Sequence, residues 1–250
     1  MNLAEHGVEL WRGTIHTGIL KRVIAEYEAP RPFLPEIPRH EPLVGFWNFT
    51  LGSHKSLAKL SSMPSLENFA QFIANKIRCY ASGELRLLET IIFSKPPEVS
   101  NKLGWHQDVA YFPFEPNNQL AVWIPFDVVT KESGAMIYAL GSHKLGLRAS
   151  TDLHTGKVFP GDTRQLIDVE GLETRCMEME PGDMLIHDGR TWHTSGPNTV
   201  TGRQRRGLSF RFLVGETHYK PQAGSSNTFL KQTAHLEPGD LISDPAFPVV

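Results

Sequence analysis

Only two cysteines, Cys79 and Cys176, occur among 250 residues, and they form no CxxC pair. That is too few for a disulfide framework and points to a reducing compartment. No stretch approaches the roughly 18 consecutive apolar residues that a membrane span needs. Neither sign of charge dominates: 25 Lys and Arg stand against 27 Asp and Glu, so there is no basic footprint for nucleic acid. The opening MNLAEHGVELWRG has neither the basic nor the apolar region of a signal peptide, and the closing AFPVV carries no lipidation or retention signal. These absences predict a cytoplasmic protein without a membrane or nucleic-acid partner. Oligomeric state is not written in any of them. Internal repeats and low-complexity segments are also absent.

What is present suggests a single domain over residues 1–250, a length that all-β folds often reach as one unit. Residues 3–28 have a loose helical rhythm, with Leu10, Ile19, Leu20, Val23 and Ile24 as a buried stripe. Five prolines crowd residues 29–42, which reads as a surface wrap or linker, with a substrate-facing lid as the alternative. Ser65 to Tyr80 reads as a helix with Ser65 as N-cap and Leu66, Phe69, Ile73 and Ile77 on its apolar face. This helical part, about 1–80, gives way to short β-branched and aromatic runs at 86–93, 119–126, 135–140, 174–179, 183–187 and 208–214, punctuated by Gly, Pro, Asn and Asp. Many short strands after a helical opening predict a mainly β fold, a sandwich or jelly roll with flanking helices, its core at about 86–214 and a tail beyond. The polar, unpatterned stretch 151–171 is long for a connection and is the best candidate for a mobile cover over a site.

The chemistry concentrates in LGWHQDVAYFPFEP, residues 103–116. His106 and Asp108 stand two apart, and on an extended strand such residues share a face. A second histidine from elsewhere would give two nitrogens and one oxygen, the facial triad of non-haem iron(II) sites, which leaves coordination positions open. The pair alone is weak, since His235-x-Glu237 repeats it, but within the turn sequence HLEPGD. EPGDMLIHDGRTWHTSGPN supplies two candidates for the second histidine. His193 is preferred because small residues follow it and leave space at a metal. His187 reads as a satisfied core or supporting residue. In GRQRRGLSFRF a period of two sets Leu208, Phe210, Phe212 and Val214 on one face and Ser209, Arg211 and, by extension, Arg205 on the other. An arginine aimed into a barrel calls for a carboxylate, which its planar fork grips with two bonds. Gly207 leaves room beside Arg205. Trp47, Phe49, Tyr111 and Phe112 read first as core packing, with a place in a pocket wall as the alternative.

Taken together, these parts resemble the phytanoyl-CoA dioxygenase family of iron(II)/2-oxoglutarate oxygenases. The likeness covers roughly residues 86–214 and is strongest in SKPPEVSNKLGWHQDVAYFPFEP, AVWIPFDVVTKESGAMIYALGSHK and GDMLIHDGRTWHTSGPN followed by RRGLSFRF. The resemblance implies a double-stranded β-helix, with His106, Asp108 and His193 as iron ligands. It also implies that Arg205 holds the distal carboxylate of 2-oxoglutarate, with Ser195 and Trp123 beside it. The spacing from His193 to Arg205 is one residue longer than usual, which keeps Arg203 and Arg206 in contention. The implied cofactors are Fe(II), 2-oxoglutarate and O2, with ascorbate as reductant in vitro. The implied reaction hydroxylates a small-molecule metabolite and releases succinate and CO2. Asp108 stands where related halogenases have a small residue, so hydroxylation is expected over chlorination. Desaturation, epoxidation or cyclisation by the same chemistry, a metal-binding protein without turnover, and a cupin-type enzyme that uses no keto-acid are the alternatives.

Overall fold

The computed structural model describes residues 1–29, 47–49, 64–98, 102–225, 230, 233–243 and 247–250. Its N-terminal part holds α1 (Leu3–His6), β1 (Val8–Trp11), α2 (Thr17–Glu28), β2 (Trp47–Phe49) and α3 (Pro64–Ile77). Ten strands follow: β3 (Leu85–Lys95), β4 (Leu103–His106), β5 (Phe114–Glu115), β6 (Gln119–Pro125), β7 (Met136–Ala139), β8 (Thr174–Met177), β9 (Met184–Asp188), β10 (His193–Ser195), β11 (Arg205–Val214) and β12 (His218–Tyr219). A six-stranded sheet runs β1-β9-β6-β11-β3-β2 and a four-stranded sheet runs β4-β10-β7-β8, while β5 and β12 form a ribbon. From β3 to β11 the chain passes repeatedly between the two larger sheets, giving the expected double-stranded β-helix. Among the described residues, no helix is long and apolar enough to cross a membrane.

The larger sheet owes its place to strand periodicity. Leu208, Phe210, Phe212 and Val214 of β11 pack with Leu66, Phe69, Ile73 and Ile77 of α3 and with Leu20 and Val23 of α2. The Phe69 and Phe210 rings meet edge to face at 5.7 Å. The opposite face of β11 therefore turns Arg205, Ser209 and Arg211 inward, where all three line a cavity. The strand parity read from the sequence holds, and β3 lays Glu89, Ile91, Phe93 and Lys95 along the same wall.

Three local expectations are corrected. Residues 3–28 are not one helical run: Gly7 takes φ +76 and closes α1, after which β1 pairs with β9, Leu10 opposite Leu185. The left-handed turn at glycine ends the helix, and four residues of strand are too few for alternation to show. Ser65 does not cap α3, which starts at Pro64. The Ser65 and Leu66 amides donate instead to the Glu26 carboxylate of α2, at 3.5 and 3.1 Å, a cap supplied by tertiary contact. Asp108 is not in a strand: β4 stops at His106, and Asp108 opens a 3-10 turn to Tyr111. Gln107 stays extended (φ −115, ψ 134), so the i, i+2 relation of His106 and Asp108 survives. Residues 30–42 of the proline-rich segment lie outside the described residues, as do the side chains of Trp47 and Phe49.

Candidate active site

Adjacent strands of the smaller sheet bring the two histidines together. His193 of β10 is the cross-strand partner of His106 of β4, and their rings lie 4.1 Å apart between centroids. Asp108 Oδ1 is 3.7 Å from Nε2 of each. One ligand atom from each of the three buried residues falls within 4.8 Å of the others. In both histidines Nδ1 lies against the carbonyl oxygen two residues back: His106 on Gly104 at 2.8 Å, His193 on Thr191 at 2.9 Å. A carbonyl only accepts, so Nδ1 carries the proton and Nε2 turns its lone pair toward Asp108. Burial lowers the pKa of both rings, further for His193, and favours the neutral, metal-binding form.

Burial opposes charge on Asp108, yet the imidazoles of His193, His187 and His106 hold its carboxyl at about 2. Two further groups fix its orientation. Arg211 lies side-on, Nε to Oδ2 at 2.9 Å and Nη2 to Oδ1 at 3.0 Å. His187 Nε2 meets Oδ2 at 3.1 Å, and its Nδ1 meets the Tyr138 hydroxyl at 3.1 Å. The Arg211 Nη1 donates to Glu89. A carboxylate has about four acceptor positions. Three are taken here, and the fourth, on Oδ1, faces the two Nε2 atoms. His187 is thus the supporting residue that the sequence suggested. Arg211 was placed on the inward face but given no role.

Of the three candidate arginines, Arg205 alone lines the cavity. Arg203 is exposed, and Arg206 is held outside by Asp127 and Glu28. Arg205 is buried and donates from Nη2 to the Gly134 carbonyl, while its Nε has no partner among the described residues. Its guanidinium lies 5.1 Å above the Trp123 ring. A Cβ on Gly207 would come within 1.9 Å of that indole, so the space left by Gly207 holds Trp123, on which Arg205 rests. Ser195 lies at the same end of the cavity, and Lys95 Nζ donates to its Oγ at 2.9 Å. Among the described residues neither Arg205 nor Lys95 has a carboxylate in ion-pair reach. Burial lowers the Arg205 pKa to about 10, and burial together with Arg205 lowers that of Lys95 to about 7. Buried Arg205 and half-buried Lys95 stand in the same cavity as two imidazoles and a carboxylate that could hold a metal ion, an arrangement that would suit an anion beside it.

The family model for phytanoyl-CoA dioxygenase (PhyH) matches residues 53–207. The chain belongs to the phytanoyl-CoA dioxygenase family. It is 24% identical over 181 residues to the human peroxisomal phytanoyl-CoA dioxygenase, covering 69% of this chain and 50% of that protein. It is 30% identical over 135 residues to a probable alpha-ketoglutarate-dependent hypophosphite dioxygenase of Stutzerimonas stutzeri, covering 53% and 47%. The chain thus spans about half the length of the curated relatives it matches. Among solved structures it resembles the epimerase SnoN from nogalamycin biosynthesis, in complex with Fe3+ and alpha-ketoglutarate, with a TM-score of 0.71 and 20% identity over 99% of this chain and 95% of that one. The carbocyclase SnoK gives a TM-score of 0.69 at 20% identity over 99% and 93%.

In this family member the cavity measures about 520 Å³, and its outer walls come from outside the two sheets. Tyr111 and Phe112 line it, and Phe112 also belongs to a buried apolar cluster against which Tyr111 packs. Thr151 to His154, Phe159 and Pro160 line it too, which places the start of the 151–171 stretch on the cavity wall. The stretch is anchored there: the Tyr111 hydroxyl donates to the Thr151 carbonyl at 2.8 Å, and the Gly104 amide to that of Leu153 at 2.7 Å. His235 and Glu237 lie in exposed turns and are not part of the metal-ligand cluster.

Proposed function

We propose that the chain is an Fe(II)- and 2-oxoglutarate-dependent dioxygenase, folded as one catalytic domain, that hydroxylates an unactivated C–H bond of a free small-molecule metabolite. His106, Asp108 and His193 would hold the metal. The donor set fits: two neutral imidazoles and one ionised carboxylate suit a divalent first-row ion, and the cavity side is left open for further ligands. Arg205 would take the distal carboxylate of 2-oxoglutarate, with Ser195 beside it and Trp123 supporting the guanidinium. When bound, the iron and its keto-acid supply the oxidation: 2-oxoglutarate, O2 and R–H become succinate, CO2 and R–OH. The apolar wall of Ile91, Phe93, Tyr111, Phe112 and Phe159 would exclude water and orient the substrate carbon. Two lone cysteines suit a reducing, cytoplasmic setting.

The observation that carries this reading is Arg205: buried, in the same cavity as the His-Asp-His cluster and, among the described residues, short of a partner at Nε and of a carboxylate in ion-pair reach. An unpaired buried charge is costly, so a carboxylate guest is the simplest reason for its place. The test is succinate release from wild-type protein given Fe(II), 2-oxoglutarate, O2 and ascorbate. Slow release is expected even without substrate, lost in His106→Ala, with a sharply raised 2-oxoglutarate requirement in Arg205→Ala. No succinate from wild-type protein, or undiminished release from His106→Ala, refutes it. The names of SnoN and SnoK, an epimerase and a carbocyclase, support a second outcome in which hydrogen is removed without oxygen being added. Product mass distinguishes the two, since only hydroxylation adds one oxygen.

A further inference from the structure

The geometry points to Lys95 as a positioning residue of the diacid subsite: it acts on the distal carboxylate through the Ser195 hydroxyl and takes up a proton as the diacid binds. This rests on the 2-oxoglutarate reading above and adds to it a second cation. Lys95 and Arg205 are cross-strand partners in the β3–β11 ladder, a placement in which like charges repel. Both are turned into the same cavity. Lys95 Nζ donates to Ser195 Oγ at 2.9 Å, to the Ser195 carbonyl at 3.4 Å and to the Gly196 carbonyl. A hydroxyl that accepts from an ammonium keeps its own hydrogen for another acceptor. Ser195 is thereby turned into a donor, and it lines the cavity two residues beyond His193.

The surroundings of Lys95 make its charge depend on a guest. Burial is the larger influence, and among the described residues Arg205 is the charged group that adds to it; together they bring the ammonium to about 7. Its other neighbours are neutral: Ser195 and Gly196 at the exit of β10, Gly134, whose added Cβ would meet the lysine stem at 3.1 Å, and Asn198, which donates to the Lys95 carbonyl at 3.0 Å. An arriving carboxylate is the missing opposite charge. It raises the proton affinity of Lys95, so binding draws in a proton, and by linkage diacid affinity falls as pH rises above about 7. A purely structural clamp between β3 and β10 would produce no such coupling.

The experiment is anaerobic calorimetry of 2-oxoglutarate binding to Mn(II)-loaded protein at pH 8, in two buffers of different ionisation enthalpy. Wild-type protein should take up a large fraction of one proton per diacid. Lys95→Arg, which keeps the charge but does not titrate, should bind with no uptake and with an affinity flat from pH 7 to 9. Lys95→Met should bind about tenfold or more weakly, also without uptake, as expected for loss of a charge-assisted bond. Wild-type binding without proton uptake, or wild-type uptake retained in either variant, overturns the role of Lys95 and leaves the co-substrate reading standing. No diacid binding by wild-type protein overturns both.

Discussion

Replacing Arg211 with methionine removes a cation that touches two buried acids. The guanidinium makes two bonds to Asp108, at 2.9 and 3.0 Å, and one to Glu89. The side chains of Asp108 and Glu89 are only 3% and 9% exposed, so water could replace the guanidinium from the cavity side alone. Breaking a buried pair by removing one partner costs about 3–5 kcal/mol, and here the loss strands two carboxylates. The metal-free Arg211→Met protein should therefore lose at least about 3 kcal/mol of stability by urea unfolding, a midpoint shift of roughly 1 M or more. Adding Glu89→Gln should return part of that loss, because one stranded charge disappears. Saturating Mn(II) should return another part, because the ion takes over the charge of Asp108. A loss below about 1 kcal/mol, or a double variant weaker than Arg211→Met alone, would refute the argument that Arg211 holds both acids.

Two other outcomes follow from single contacts. Gly207→Ala puts a methyl 1.9 Å from the Trp123 ring. It should cost about 1–3 kcal/mol of stability as an overpacked core and raise the KM for 2-oxoglutarate by moving the indole under Arg205; thermal melting and initial rates would read both. Asp162 accepts from the Ser150 amide and hydroxyl at 2.8 Å and pairs with Arg164, which keeps its carboxyl below the usual range against the pull of burial. A depressed carboxylate stabilises fully above its unfolded value and loses that contribution as pH falls through the folded one. The stability gap between wild type and Asp162→Asn, measured by urea unfolding, should thus be full above about pH 5 and shrink steadily below pH 4.

What the sequence made legible depended on how far apart the interacting residues lie. His106 and Asp108 are two apart, so their shared direction follows from an extended Gln107 whether or not a strand is formed. The inward set of β11 is a period-two pattern within one segment, which favours Arg205 over Arg206; Arg203 shares that parity and is set apart only because β11 begins at Arg205 and leaves it exposed. Arg211 belongs to the same pattern, but its partner Asp108 sits 103 residues away, and only the crossing of the sheets brings them together. The Glu26 cap on α3 was hidden for the same reason. Lys95 was overlooked differently: the apolar run was read to end at Phe93, before the two prolines of SKPP, whereas β3 runs on to include Lys95. The brief β1 was lost inside a helical reading because Val8 to Trp11 fits either period.

The wall formed by residues 151–160 belongs to neither large sheet, and it is pinned largely through main-chain carbonyls, those of Thr151 and Leu153. Phe159, edge to face with Tyr111 at 6.3 Å, and Asp152, which accepts from the Thr155 amide at 2.7 Å, add side-chain anchors, and the remaining side chains of the excursion can be exchanged without disturbing them. On the proposed function, selectivity and reactivity would be housed in separately adjustable parts of the molecule. Remodelling this rim is the natural route to a changed guest with an unchanged engine.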